Sequence, residues 1–209
     1  MIRPARATFW IILPGLTLAL AACRDRPHDV NARQPAPAME AANAASIYAL
    51  DLPLVDASGQ TTSLKDLRGQ TLVAAMMYTS CTSVCPRVTE DMKTIERQLS
   101  ERDKRDVTFV LFSLDPGSDT PDALRRFATT HQLDGSRWRL FAESEDGARE
   151  LAAVLGVKYR PEQNGDIAHS AMIIVIDRDG VVRHKQLGLV NEQRELIDTL
   201  ASLRAETAR

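Results

Sequence analysis

Cysteine is scarce in this chain, with only three residues among 209, and neither sign of charge is in clear excess. So few cysteines exclude a disulfide scaffold of the kind that holds small secreted proteins together. The net charge of −2, with acidic and basic residues interspersed, excludes the clustered lysine and arginine surface that a nucleic acid requires. We therefore expect no nucleic-acid partner.

The apolar run near the start of the chain is too short to span a bilayer comfortably. It covers residues 9–22, follows Arg3 and Arg6, and falls short of the roughly 20 residues needed. This pattern predicts an export signal over residues 1–22. The run ends in the letters LAAC, which resemble the bacterial lipoprotein processing site, and this resemblance implies cleavage before Cys23 and lipidation of Cys23.

Attached acyl chains would contribute about 0.8 kcal/mol per buried methylene and would hold the protein on a membrane without a spanning helix. We therefore expect a membrane-anchored lipoprotein of the bacterial cell envelope that faces the periplasm. Residues 23–45 are rich in alanine, proline and asparagine without apolar periodicity, which predicts a flexible tether behind the lipidated cysteine. Residues 46–209 then suffice for one domain.

Hydrophobic periodicity in that domain predicts the element order βαβαβαββα. The first strands are unbroken apolar runs, as expected of strands buried on both faces, and the last two form a hairpin followed by a helix. This order predicts an α/β fold with a mixed sheet flanked by helices. The predicted strands are 71–78, 107–114, 138–141, 171–177 and 181–186, and the predicted helices are 86–99, 120–130, 144–155 and 192–203.

Two cysteines lie where the first buried strand meets its helix, in the segment YTSCTSVCP of residues 78–86. If Cys81 and Cys85 share one helical turn, their Cα atoms lie about 6 Å apart, given a rise of about 1.5 Å per residue. That separation permits a disulfide, and the same pair could grip one soft metal ion. Pro86 suits a first helical position, so Cys85 is expected near the N-cap, where the helix dipole would lower its thiol pKa.

The segment NGDIAHS is a polar turn that leads into the predicted hairpin and places His169 at the edge of a strand. A dithiol at a strand-to-helix junction is the placement used by thioredoxin-like proteins, and in such a sheet the turn would lie beside the dithiol. His169 could therefore approach Cys81 and Cys85. Asp115 ends the second buried strand and could orient His169, although a turn-capping role is an equal alternative.

Three motifs in this order resemble the Sco/SenC family of copper-handling proteins, over most of residues 46–190. They are YTSCTSVCP at 78–86, SLDPGSDTP at 113–121, and His169 shortly before IIVIDRDG at 173–180. The resemblance implies a thioredoxin-like fold and copper ligation by Cys81, Cys85 and His169. It also implies a role in assembling the copper A centre of cytochrome c oxidase. The implied partners are the copper A subunit and, in addition, other copper chaperones or thiol reductants.

The donor chemistry agrees with that implication. Two thiolates and one imidazole form a soft, low-coordinate set suited to Cu(I) and still able to bind Cu(II), whereas a structural zinc site usually takes four protein ligands. Oxidation of Cys81 and Cys85 to a disulfide would remove both anionic ligands, so metal loading and redox state are coupled. A metallochaperone is the interpretation we favour.

Three alternatives stay open from the residues. A thiol-disulfide reductase would use Cys81 and Cys85 as a redox dithiol on client cysteines without donating copper. A peroxiredoxin-like peroxidase is disfavoured because Ser80 and Ala74 fall close to, but not on, the positions that its Pro-x-x-x-Thr/Ser-x-x-Cys pattern requires. An inert disulfide that braces the exported domain would stabilise little, since the loop it closes is short.

Overall fold

The computed structural model describes residues 46–163, 165–188 and 193–207. The predicted export signal and tether, including Cys23, lie outside these described residues. Within them, no helix is both long enough and apolar enough to cross a membrane.

Nine strands and five α-helices make up the described chain, and the predicted elements are all present with ends shifted by a few residues. The strands are β1 Pro53–Asp56, β2 Thr61–Ser63, β3 Thr71–Met77, β4 Val107–Ser113, β5 Trp138–Ala142, β6 Tyr159–Pro161, β7 Ile167–His169, β8 Met172–Ile176 and β9 Val182–Leu187. The α-helices are α1 Val84–Gln98, α2 Asp103–Asp106, α3 Pro121–Thr130, α4 Glu145–Leu155 and α5 Arg194–Thr207.

Seven strands form one mixed sheet in the order β2-β1-β5-β4-β3-β8-β9. The central strands β3, β4 and β5 are parallel to one another, while β8 runs antiparallel to β3 and forms the expected C-terminal hairpin with β9. Helices cover the sheet, so the predicted thioredoxin-like α/β fold is confirmed.

Strand β3 is buried along its whole length because both faces of the sheet are covered. Alternate side chains enter two separate cores: Val73, Ala75 and Met77 face one, and Leu72, Ala74 and Met76 face the other. Full burial of a large apolar side chain contributes roughly 1.5 to 3 kcal/mol, which fixes the strand register strongly.

The carboxyl ends of the parallel strands meet at one edge of the sheet, where Met77 of β3 lies opposite Ser113 of β4. The loops that follow these strands therefore begin side by side, as ligand sites of open α/β sheets require. A separate two-stranded ribbon, formed by β6 and β7, lies between α4 and β8 in the chain. The sequence did not predict this ribbon, because each strand has only three residues and β6 ends at Pro161.

Candidate metal and redox site

The two cysteines lie at the predicted strand-to-helix junction, but they do not share a helical turn. Cys81 is in the turn between β3 and α1, where its backbone N–H donates to the carbonyl oxygen of Tyr78 at 3.2 Å. Cys85 is the second residue of α1, which begins at Val84 rather than at Pro86. Both side chains are free thiols.

The ribbon brings His169 to this junction. Nε2 of His169 lies 3.4 Å from Sγ of Cys85, although 84 positions separate the two residues. Nδ1 lies 3.2 Å from the carbonyl oxygen of Ser170, which can only accept, so Nδ1 carries the proton and Nε2 presents its lone pair to the thiol. Burial lowers the pKa of His169, which favours the neutral imidazole that a metal requires.

Cys81, Cys85 and His169 form a cluster whose ligand atoms all lie within 4.8 Å of one another. A three-coordinate ion about 2.2 Å from each ligand atom needs those atoms about 4 Å apart, so the donor set fits a single soft ion. The predicted Cys-x-x-x-Cys plus His constellation is therefore present in the folded chain. In the described residues, no fourth histidine, cysteine or carboxylate joins the cluster.

The pKa values of the two thiols shift in opposite directions from that of an ordinary cysteine. Burial opposes ionisation of Cys81, but hydrogen bonds from the backbone N–H groups of Cys85, Ser83 and Val84 outweigh it and lower the pKa of Cys81 to about 7. The Cys85 N–H lies 3.4 Å from the Cys81 sulfur. Burial raises the pKa of Cys85 well above its ordinary value, and the neighbouring Cys81 adds to this effect.

The expectation that the helix N-terminus would lower the pKa of Cys85 is therefore wrong. Cys85 lies inside the first turn and is only 1% exposed, so its sulfur does not face the free amides. Those amides point at the turn that precedes the helix, where Cys81 accepts from them. The helix N-terminus therefore stabilises the thiolate of Cys81 rather than that of Cys85.

Tyr78 links the cysteine turn to the ribbon. Its hydroxyl accepts a hydrogen bond from the backbone N–H of Ile167 at 3.3 Å, and its ring meets the His169 ring edge to face with centroids 5.9 Å apart. Burial raises the pKa of Tyr78, so the hydroxyl stays protonated. Tyr78 therefore positions the segment that carries His169 as well as filling the end of the core.

Asp119 anchors the cysteine turn from the side of β4. Its side chain is buried, and its Oδ1 accepts from the backbone N–H of Thr79 at 2.9 Å and from the Thr79 hydroxyl at 2.6 Å. Its Oδ2 accepts from the hydroxyl of Ser113 at 2.6 Å. The sequence did not identify this role, because an aspartate before Thr120-Pro121 is equally typical of a turn or a helix start.

The proposed link between Asp115 and His169 is not present. No hydrogen bond joins them in the described residues, and the ring nitrogen that Asp115 could have oriented is instead bonded to Ser170. Asp115 closes a turn, because its carbonyl oxygen accepts from the backbone N–H groups of Ser118 and Asp119. These are backbone bonds, and the Asp115 carboxylate makes no hydrogen bond in the described residues, so neither side-chain role is seen there.

Comparison with known proteins agrees with this geometry. The family model SCO1/SenC matches residues 40–205. The chain belongs to the SCO1/SenC family. A curated relative, the SCO1 protein homolog of Bacillus subtilis, is 27% identical over 136 residues, which cover 64% of this chain and 70% of that protein.

Two solved structures of similar chains support the fold. A SCO1/SenC family lipoprotein from Bacillus anthracis superposes with a TM-score of 0.68 at 28% identity, covering 74% of this chain and 94% of that one. ScoI of Bradyrhizobium japonicum, solved with copper bound, superposes with a TM-score of 0.56 at 22% identity, covering 75% and 97%. The family and the thioredoxin-like fold are thus established independently of the motifs.

Proposed function

We propose that this SCO1/SenC protein binds copper through Cys81, Cys85 and His169 and delivers it to, or prepares, the copper A centre of cytochrome c oxidase. The observation that carries the proposal is the meeting of two sulfurs and one imidazole nitrogen within 4.8 Å. Membership of a family that includes a copper-bound member supports the choice of metal. Copper is the cargo in this proposal.

The chemistry of the ligands favours copper over harder or four-coordinate ions. Two thiolates and one neutral imidazole suit Cu(I), and the imidazole allows Cu(II) to bind as well. The low pKa of Cys81 provides one thiolate near neutral pH, and metal binding would displace the proton of Cys85.

The membrane tether belongs to the same proposal. Lipidation of Cys23 would hold the domain near a membrane-bound client in the bacterial cell envelope, with residues 23–45 as the tether. The similarity to a lipoprotein from Bacillus anthracis supports this placement. Mass spectrometry of the protein isolated from membranes should find acyl chains on Cys23, and none after Cys23→Ala.

Anaerobic copper titration of the reduced protein tests the metal site. We expect one copper per chain in the wild type and loss of tight binding in Cys81→Ser, Cys85→Ser and His169→Ala. His184→Ala is the matched control, because His184 lies on β9, away from the three-residue cluster. Undiminished loading in His169→Ala would exclude the three-ligand site, and failure of the loaded protein to transfer copper to a copper A domain would exclude delivery.

A thiol-disulfide reductase is the second candidate, favoured by the pKa of about 7 at Cys81 beside a second thiol. His169→Ala separates the two functions. If copper delivery is the function, this variant loses oxidase assembly. If dithiol exchange is the function, assembly and exchange persist in His169→Ala but disappear in Cys85→Ser.

A further inference from the structure

An open cavity of about 370 Å³ lies beside Cys81, between the cysteine turn and α3. Arg126, Phe127 and Thr130 of α3 line it, together with His131 just beyond the helix. His169 is not among its lining residues. We call this space the α3 cavity, and its volume falls within the range of sites for small molecules or short peptide segments.

One positive charge at this cavity is unbalanced. The Arg126 side chain is exposed and has no ion-pair partner in the described part of the chain. The neighbouring Arg125 differs, because it pairs with Asp122 and donates to the carbonyl oxygen of Ala57 at 2.9 Å. A guanidinium is always charged, so Arg126 gives the opening a positive field.

The other charged groups near the cavity are already engaged by partners of their own, Lys93 in an ion pair and Asp119 in hydrogen bonds. Lys93 pairs with Glu90 at 2.9 Å, and the same ammonium group donates to the carbonyl oxygen of His131 at 2.9 Å. The buried carboxylate of Asp119 already accepts three hydrogen bonds from Thr79 and Ser113. Because Asp119 is buried and does not line the cavity, the exposed guanidinium of Arg126 is the charge that an incoming ligand would meet first.

Of the two cysteines, only Cys81 borders the α3 cavity. Cys81 is 6% exposed, whereas Cys85 is 1% exposed and faces His169 on the inner side of the cluster. A ligand that enters along α3 would thus meet the sulfur of Cys81 first. A sulfur from the cysteine turn and a guanidinium from α3 that line the same cavity are complementary to a ligand that carries both sulfur and carboxylate.

We propose that the α3 cavity binds thiols or disulfides that carry a carboxylate, with Arg126 holding the carboxylate while Cys81 exchanges with the sulfur. This inference rests on the thiol-exchange function given above as the second candidate. It adds to that function a ligand class and a residue that selects it.

The reaction is a two-step exchange that needs no further oxidant. The Cys81 thiolate attacks one sulfur of the ligand disulfide, the ligand S–S bond breaks, and one half leaves as a thiolate. The Cys85 sulfur then attacks Cys81, releases the second half, and passes its proton to the departing thiolate. The protein dithiol is oxidised by two electrons to a disulfide, and the ligand disulfide is reduced to one thiolate and one thiol.

Three small disulfides test the proposal on the reduced full-length protein. They are dithiodipropionate, which carries two carboxylates, cystamine, which carries two ammonium groups, and neutral 2-hydroxyethyl disulfide. We expect the wild type to react faster with dithiodipropionate than with cystamine. Arg126→Gln should lower that rate ratio about three- to fivefold, the effect of one partly exposed ion pair.

Arg125→Gln is the matched control, because it removes the same charge from the same helix outside the cavity lining. An unchanged ratio in Arg126→Gln, or an equal fall in both variants, would overturn the α3 cavity as the site. If even the neutral disulfide fails to oxidise the wild-type dithiol, the thiol-exchange function itself fails, and the inference fails with it. Copper titration of Arg126→Gln reports separately that the metal cluster is intact.

Discussion

Oδ1 of Asp119 accepts both hydrogen bonds that Thr79 can donate, from its backbone N–H at 2.9 Å and from its hydroxyl at 2.6 Å. Thr79 lies two residues before Cys81, and Asp119 lies at the start of the segment that leads into α3. The carboxylate therefore fastens the cysteine turn to the adjoining strand through buried, charge-assisted hydrogen bonds, which are stronger than neutral ones.

Replacing Asp119 should destabilise the fold and loosen the cysteine turn. Asp119→Ala leaves the hydroxyls of Thr79 and Ser113 without their acceptor, so we expect the free energy of unfolding to fall by about 3 kcal/mol. Denaturant unfolding of the metal-free protein measures this loss. Asp115→Ala is the control, because the Asp115 carboxylate makes no hydrogen bond in the described residues, and it should change stability by less than about 0.5 kcal/mol. Equal effects of the two substitutions would show that Asp119 has no special anchoring role.

The acidity of the two thiols predicts selective alkylation. In the reduced, metal-free protein, Cys81 is a thiolate above about pH 7 and a slowly reacting thiol below it. We expect iodoacetamide to label Cys81 with a midpoint near pH 7, while Cys85 stays largely unlabelled because burial raises its pKa. Peptide mass spectrometry locates the label. Both cysteines should react alike in urea, and preferential labelling of Cys85 in the folded protein would contradict the assignment.

Glu143 should make stability depend on pH. Both of its carboxylate oxygens are buried without a hydrogen-bond partner on another described residue, and burial raises its pKa from 4.5 to about 8. The folded protein thus keeps a proton that the unfolded chain releases between about pH 4.5 and 8. The free energy of unfolding therefore falls as pH rises through that window.

Glu143→Gln cannot lose this proton, so its stability should vary less with pH. Between pH 5 and 9, we expect the wild type to lose on the order of 3 kcal/mol more than the variant, as measured by denaturant unfolding. Glu145→Gln, which alters an exposed neighbour on α4, should follow the wild-type curve. Parallel curves for wild type and Glu143→Gln would refute the buried proton.

Tyr78→Phe should remove a hydrogen bond that positions the ribbon carrying His169. The substitution removes the acceptor for the Ile167 N–H, so we expect a stability loss of about 1 kcal/mol and a lower affinity for Cu(II), which relies on the imidazole. Competition titration with a chelator measures that affinity. Tyr159→Phe is the control on the same ribbon, since the Tyr159 hydroxyl makes no hydrogen bond in the described residues. Identical Cu(II) affinities for the two variants would exclude this role of Tyr78.

The strands and helices could be predicted from the sequence because each depends on residues close to it along the chain. Unbroken apolar runs gave β3 and β4, and side chains of Thr120 and Ser144 cap α3 and α4 where the sequence placed their starts. The cysteine pair at the strand-to-helix junction depends on the same local signals. The topology that places the His169 segment beside this junction followed from the thioredoxin-like order of elements.

Tertiary structure alone decided which thiol is acidic, which residue anchors the turn, and which arginine lines a cavity together with a cysteine. The acidity of a buried thiol depends on which amides reach it and how much water it loses, and both change when a helix begins two residues earlier than its pattern suggests. Asp119 meets Thr79 only because β3 and β4 end side by side. Arg126 differs from Arg125 only in what each side chain contacts, which no pattern along the chain records.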